Sequence, residues 1–240
     1  MNINQKQCQA DLDEYGITPR KYYGQVFTTD KVTIDKLVES IQSIYRPGTK
    51  IVEIGGGLGY ITEKLVGKFD DIDVLEIDNE LYQILKSKIK NQKCKIKKQD
   101  ILEYSSPDED YLLVGNIPFH VSGRLYRRFM SDLEHKPYGM VFITDKQYAT
   151  TLMGQPPRCY RVSLQAQAYG DIEIVADVPP ESVYPPPKVM SCVMKITEND
   201  VKLPPNFWDT VNYHFENFPT PEVESPKTLS LKDWIRLCKK

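Results

Sequence analysis

Five residues of strand character, Lys50-Ile-Val-Glu-Ile54, run straight into Gly55-Gly-Gly-Leu-Gly59 and then into the helical pattern Tyr60 to Val66. A strand that must reverse into a helix within so few residues, through glycines at 55, 57 and 59, confines the chain to a βα turn in which a ligand meets bare backbone. The turn signal Pro47-Gly48 bounds the strand on its left. A glycine loop alone specifies little, but Glu76 closes the next apolar strand 21 residues after Gly55. At that distance a carboxylate accepts hydrogen bonds from both hydroxyls of a ribose, so the pair predicts a nucleotide-like ligand.

The rest of the chain keeps the rhythm of a doubly wound sheet. An amphipathic helix is predicted over Lys31 to Ile44, with Val32, Ile34, Leu37, Val38, Ile41 and Ile44 near helical spacing and Thr29 or Asp30 as its cap. Further strands are predicted at Asp73–Ile77, Cys94–Lys97, Tyr111–Val114 and Met140–Thr144, and helices at Glu80–Lys90 and Ser122–Met130. Ile172–Val178 and Ser191–Ile196 flank a turn-rich stretch and read as an antiparallel hairpin at one sheet edge. Beyond Thr197 only Phe207–Phe215 and Leu231–Cys238 carry helical patterns, separated by a segment whose prolines at 219, 221 and 226 forbid a regular helix.

Composition narrows the class. With 31 basic and 33 acidic residues among 240 there is no global cationic field, so a nucleic-acid partner would have to be met by a local patch. No apolar run approaches the length of a membrane span, and Met1 to Ala10 lacks an apolar signal core; the expectation is a soluble, cytoplasmic protein without membrane contact. The cysteines at 8, 94, 159, 192 and 238 are scattered, which predicts free thiols and no metal site.

Dinucleotide and S-adenosylmethionine sites share the glycine loop and the acid, and the remaining strand ends discriminate between them. Asp100 follows the strand at Cys94 and is placed to accept from an exocyclic amine such as an adenine N6. Gly115-Asn-Ile-Pro-Phe119 follows the strand at Tyr111 and suits methylation of a nucleobase amine. Such an amine is neutral, needs positioning rather than a strong base, and would present its hydrogens to the Asn116 amide oxygen and the Ile117 or Pro118 backbone carbonyl. Phe119 would stack on the base once it leaves its helix, and Pro118 stiffens the turn so that the acceptors are in place beforehand.

At this point the chain resembles the ribosomal RNA adenine N6,N6-dimethyltransferases, a family that spans small-subunit enzymes and the macrolide-resistance Erm enzymes. The resemblance covers about residues 20 to 196. It rests on Gly24-Gln25-Val-Phe27, Glu53 to Gly59, Leu75-Glu-Ile-Asp78, Gln99-Asp100, Asn116 to Phe119, Tyr160-Arg-Val-Ser163 and Tyr184-Pro-Pro-Pro-Lys-Val-Met-Ser191, the last closest to the archaeal and eukaryotic small-subunit branch. It implies an α/β, Rossmann-like S-adenosylmethionine-dependent methyltransferase domain at 21–197, a seven-stranded mostly parallel sheet with an antiparallel edge hairpin. An N-terminal extension at 1–20 and a reduced helical appendage at 198–240 flank that domain.

Carried over residue by residue, the resemblance makes Gln25 and the backbone around Val26 and Thr28 close over the cofactor's methionine end, which Gly55 and Gly57 receive. Glu76 with Ile77 would hold its ribose and Asp100 with Ile101 its adenine. Asn116, which also borders the cofactor, Pro118 and Phe119 would hold the target base, with no metal. The implied reaction is dimethylation of adenines in small-subunit ribosomal RNA or its precursor particle by a monomer. Two alternatives keep the fold: an assembly or RNA-binding factor with little catalysis, and an Erm-type enzyme acting on large-subunit RNA. The first is motivated by Gln147, which stands where the family has a carboxylate, and by the acidic, proline-rich stretch Glu216 to Ser225 in place of a basic tail.

RNA affinity comes mainly from Lys and Arg on phosphate. Tyr111 to Gly170 carries seven basic and three acidic residues, and Arg124, Arg127 and Arg128 lie one turn apart on the predicted helix after Phe119 as candidate phosphate contacts. The seven lysines of Lys86 to Lys98 are a second candidate or an ordinary solvated surface, and His120 is a candidate pocket residue.

Overall fold

In a computed structural model, which describes residues 5–239, the glycine loop lies at the carboxyl edge of a seven-stranded sheet. In chain order the elements are α1 (Gln5–Glu14), β1 (Phe27–Thr28), α2 (Lys31–Ile44), β2 (Lys50–Ile54), α3 (Tyr60–Val66), β3 (Ile72–Glu76), α4 (Asn79–Lys88), β4 (Cys94–Lys98) and β5 (Tyr111–Asn116). There follow α5 (Ser122–Arg127), β6 (Gly139–Asp145), α6 (Lys146–Leu152), α7 (Arg161–Tyr169), β7 (Gly170–Val178), β8 (Val183–Tyr184), β9 (Ser191–Glu198), α8 (Phe207–Asn217) and α9 (Leu231–Leu237).

The strand order is β4-β3-β2-β5-β6-β9-β7, parallel through β6, with β9 antiparallel to both β6 and β7. The expected sheet and its edge hairpin are therefore present. The order reverses between β2 and β5, and open α/β sheets bind ligands in the crevice such a reversal leaves at the strands' carboxyl ends. Central strands read as continuous apolar runs because helices cover both faces: Leu112, Leu113 and Val114 are fully buried. On one face α2 buries Ile34, Leu37, Val38 and Ile41, each contributing roughly 1.5–3 kcal/mol by leaving water. Its start is fixed by Asp30, whose carboxylate accepts from Thr33 N at 2.8 Å.

Three features depart from the sequence reading. The stretch Gln5–Glu14 is a helix that buries Cys8 and Leu12 in the main core, and Gln5 Nε2 donates to the Val183 carbonyl at 2.7 Å. The helix predicted over Ser122–Met130 is α-helical only to Arg127 and continues as a single π-turn over Arg128–Asp132, which lets Phe129 and Met130 both face the core. The pair β1–β8 forms a separate two-stranded sheet, Phe27 opposite Tyr184 and Thr28 opposite Val183. The tail helices α8 and α9 share a small core of Phe207, Val211, Val223 and Trp234 with Cys159 and Leu164 of the main unit. No helix among the described residues is long and apolar enough to cross a membrane.

Candidate functional site

The carboxyl ends of β2, β3 and β5, the loop after β4 and the segment Tyr22–Phe27 enclose a cavity of about 700 Å³, within the range of small-molecule sites. Gln25, Val26, Gly55, Gly57, Glu76, Ile77, Asp100, Ile101, Asn116, Pro118 and Phe119 all line it. Residues predicted from five separate segments thus meet in one space.

Its floor is built around Glu76, which is only 4% exposed. One carboxylate oxygen accepts from Gly57 N at 2.8 Å and the other from Asp78 N at 2.9 Å. Burial holds the carboxyl above the ordinary carboxylate range, against the opposing pull of the Asp78 and Gly57 N–H groups. Gly57 has φ +55°, and a Cβ there would fall 3.2 Å from the Phe27 ring, so the turn under the Glu76 bond needs glycine both for its dihedral and for the close approach. Deeper still, and outside the cavity, Glu53 accepts from Thr62 Oγ1 at 2.7 Å, and burial pushes its carboxyl up to about 8.

One wall is flanked by Ile77 and Ile101, apolar faces suited to a planar ring, beside Asp100. Asp100 Oδ1 caps the following 3₁₀ turn by accepting from Leu102 N at 2.8 Å. Across from them Asn116, at the end of β5, donates through Nδ2 to the Val26 carbonyl at 2.7 Å. That bond demands the NH2 group on the Val26 side and so fixes the orientation of Oδ1. The Ile117 N–H donates to the Ile143 carbonyl at 3.0 Å, and the Pro118 carbonyl accepts from Val121 N at 3.1 Å, which anchors the turn at both ends. Phe119 and His120 stand half-buried and exposed at the mouth, and both line the cavity.

The segment over the cavity is held by an ion-pair cluster whose members lie far apart in sequence. Arg20 pairs with Asp78 at 2.7 Å and Glu80 at 2.6 Å, and Gln25 Nε2 donates to the same Asp78 oxygen at 3.0 Å. Gln25 Oε1 accepts from Arg20 N at 2.7 Å, so both ends of the Gln25 amide are engaged in holding the loop.

Two predicted residues are not brought to the site. Thr28 is buried in β1 opposite Val183 and does not line the cavity; strand alternation turns its neighbour Phe27 inward instead. Arg128 turns into the protein and donates to the Tyr104 carbonyl at 2.8 Å, because the π-turn that starts at this residue rotates it off the outer face shared by Arg124 and Arg127. Arg124 is exposed, lines the mouth and has no carboxylate partner among the described residues, whereas Arg127 lies 3.5 Å from Asp132. Of the lysine run, Lys97 is paired with buried Asp73 at 2.7 Å and Lys93 with Asp70 at 2.5 Å, which favours the structural reading of that stretch. Sequence reasoning gave no role to Phe27, Tyr22 or Tyr23, all of which line the cavity; proximity to Gln25 was the available signal. No group of three or more His, Cys, Asp or Glu side chains placed to hold a metal ion occurs among the described residues.

Comparison with known proteins matches residues 16–217 to the model of the ribosomal RNA adenine dimethylase family. Ribosomal RNA small subunit methyltransferase A of Helicobacter pylori is 32% identical over 190 residues, which cover 78% of this chain and 68% of that protein. Matches to the first curated relatives span about two-thirds of their length, 68% and 66% for the first two. Among solved structures, 23S rRNA methyltransferase ErmE superposes with a TM-score of 0.73 at 19% identity, over 89% of this chain and 98% of that one. A dimethyladenosine transferase from Plasmodium falciparum superposes with a TM-score of 0.66 at 20% identity, over 72% and 64%. These two likenesses are of fold, and none of the matches singles out the archaeal and eukaryotic branch suggested by the Tyr184 segment.

Proposed function

The chain belongs to the ribosomal RNA adenine dimethylase family, and on that footing we propose that it dimethylates adenine N6 in small-subunit ribosomal RNA, using S-adenosylmethionine, during subunit assembly in the cytoplasm. The observation that carries this reading is the Asn116 amide, pinned by the Val26 carbonyl at 2.7 Å inside the cavity that also holds Glu76, Asp100 and Phe119.

The cavity fits the cofactor on its own chemistry. Glu76 offers two carboxylate oxygens to a ribose in place of, or beside, its backbone donors. The bare Cα of Gly55, where the nearest atom to a Cβ would be the Asn116 carbonyl at 3.9 Å, leaves room for a chain against backbone. Ile77 and Ile101 would flank its purine, and Asp100 would accept from the purine's amine. Bound there, S-adenosylmethionine supplies an electrophilic methyl group. At about 700 Å³ the cavity has space beyond a cofactor for an extruded base near Phe119.

Asn116 Oδ1 accepts one hydrogen of the target amine. The Pro118 carbonyl already accepts from both Val121 N and Ser122 Oγ, so the second acceptor is assigned to the Ile117 carbonyl. Two acceptors on one amine draw its lone pair out of ring conjugation and aim it, which promotes transfer by orientation. No side chain has to remove a proton first. Arg124, at the mouth, and Arg127, three residues further along α5, would contact phosphates, and one chain carries every residue of this site, as a monomer requires.

Tritiated-methyl transfer onto undermethylated small subunits and, in parallel, large-subunit precursors tests the reading. N6,N6-dimethyladenosine in small-subunit RNA is the expected result. Label confined to the large subunit would assign an Erm-type target, and cofactor binding without transfer would assign an assembly factor.

A further inference from the structure

Tyr22 is the most solvent-exposed large hydrophobic side chain among the described residues, 85% exposed, yet it stands on the wall of the cavity rather than on a remote surface. An exposed aromatic ring on the wall of a binding cavity offers a free π-face on which a base can stack. Its backbone is also unusually well held. The 3₁₀ turn Lys21–Tyr23 is closed by Gly24 N donating to the Lys21 carbonyl, its start is fixed by the Arg20 pairs with Asp78 and Glu80, and its end by the Gln25 amide. The Tyr22 ring is braced edge-on against Tyr23, with centroids 5.2 Å apart and planes at 67°. Gly24 lies so close to His120 that a Cβ would fall 2.7 Å from Nδ1, so this turn faces the Phe119 side of the mouth directly.

We propose that Tyr22 is a stacking platform for the unpaired nucleobase that neighbours the target adenine, a reading that rests on the RNA substrate assigned above. A base flipped toward Asn116 and Phe119 leaves its neighbour at the rim with one face unstacked, and the fixed, bare Tyr22 ring supplies that face. Exposed Lys21, adjacent in sequence and without a carboxylate partner among the described residues, adds a cation for the phosphate between the two nucleotides. An aromatic interleaved with a free base is the pattern by which single strands are held without base-specific hydrogen bonds. Tyr22 would therefore select for an unpaired strand at the flank of the target and act on RNA binding, not on the cofactor.

The test uses the full chain and a hairpin RNA with two adjacent adenines in its loop, made in two versions with 2-aminopurine on the 5′ or the 3′ side of the methylated position. Wild type is expected to quench one of the two probes. Tyr22→Ala should abolish that quenching and raise the RNA KM by about tenfold, the scale of one lost base–aromatic stack. Tyr22→Trp should restore both, and the S-adenosylmethionine Kd should be the same in all three proteins. Unchanged quenching and KM in Tyr22→Ala, no quenching of either probe by wild type, or a parallel loss of cofactor affinity would each overturn the proposal. Tritium incorporation is scored separately on the undermethylated subunits described above, so quenching of the hairpin with no transfer to either subunit would reject the dimethylase reading and leave the stacking assignment standing.

Discussion

The side-chain amide of Asn116 and the backbone carbonyl of Val26 are joined by a 2.7 Å hydrogen bond across 90 positions of sequence. The bond ties the end of β5, the proposed seat of the target amine, to the segment proposed to close over the cofactor. The same contact orients Oδ1 and sets the height of the loop. Asn116→Asp replaces the donor with an oxygen that repels the Val26 carbonyl. Methyl transfer should fall about 10²-fold, the scale of a misplaced reacting group, and the thermal midpoint should shift only slightly because the residue is at the cavity edge. Single-turnover transfer alongside thermal unfolding checks the split; a fall in both by the same proportion would mean that Asn116 serves only the fold.

On the proposed reading Glu76 would meet the cofactor through a different logic. Its two oxygens already satisfy Gly57 N and Asp78 N, so Glu76→Ala removes the ribose acceptor and strands two buried donors, each at about 1–3 kcal/mol. Cofactor affinity and stability should both fall. Glu76→Gln separates the two effects, since the amide keeps one acceptor and its bulk. Calorimetric titration with S-adenosylmethionine should show weakened binding for both variants, and an unchanged Kd in Glu76→Ala would remove Glu76 from the site.

Phe119→Ala should behave in the opposite way. The ring lines the cavity at half burial and on the proposed reading faces the base, so cofactor Kd should stay within about twofold while RNA KM rises by roughly tenfold through lost stacking. Joint loss of both would make Phe119 a packing residue of the turn.

How far the sequence reaches is visible in particular elements. Lys31–Ile44, Lys50–Ile54 and Tyr60–Val66 have the boundaries predicted for them, because capping residues, turn signals and apolar periodicity coincide there. The helix α7, Arg161–Tyr169, carries no amphipathic signal in its run of small and polar residues; it is a helix because Ser163, Leu164 and Ala166 pack inward and its start is held by Tyr160 N donating to Ser163 Oγ at 3.1 Å. The pair β1–β8 joins strands of two residues from opposite ends of the main unit, a relation local propensity does not encode. At the site, Glu76, Asp100 and Asn116 were readable because each closes or follows a strand at the carboxyl edge. Arg20 was not, since its partners Asp78 and Glu80 lie about 60 positions away.

The arginines give a contrast in which sequence spacing treats as alike residues that the structure separates. Arg124 is exposed at the mouth, whereas Arg128 donates to the Tyr104 carbonyl. Arg124→Ala should weaken RNA binding and flatten the dependence of log Kd on log salt by about 0.7, one phosphate contact on a single strand, with stability unchanged. Arg128→Ala should leave the salt slope alone and lower the unfolding midpoint. Filter binding across a salt series, with denaturation of each variant, distinguishes them; a reduced slope in Arg128→Ala would restore it as a phosphate contact.

Glu53 makes stability depend on pH in a direction opposite to a surface carboxylate. Its carboxyl is pushed from the ordinary value of 4.5 up to about 8, first by burial and further by the neighbouring Glu76, with the Thr62 hydroxyl acting against them. A carboxyl whose pKa is higher folded than unfolded binds more protons in the folded state, so its favourable contribution is present below about pH 4.5 and is lost as pH rises toward 8. The loss amounts to at most about 1.4 kcal/mol per pH unit across that window. Glu53→Gln has no proton to lose, so the difference in unfolding free energy, variant minus wild type, should climb between pH 5 and pH 8 and then level off. Chemical denaturation at four pH values across that window measures it, and a flat difference would show that Glu53 stays ionised in the folded protein.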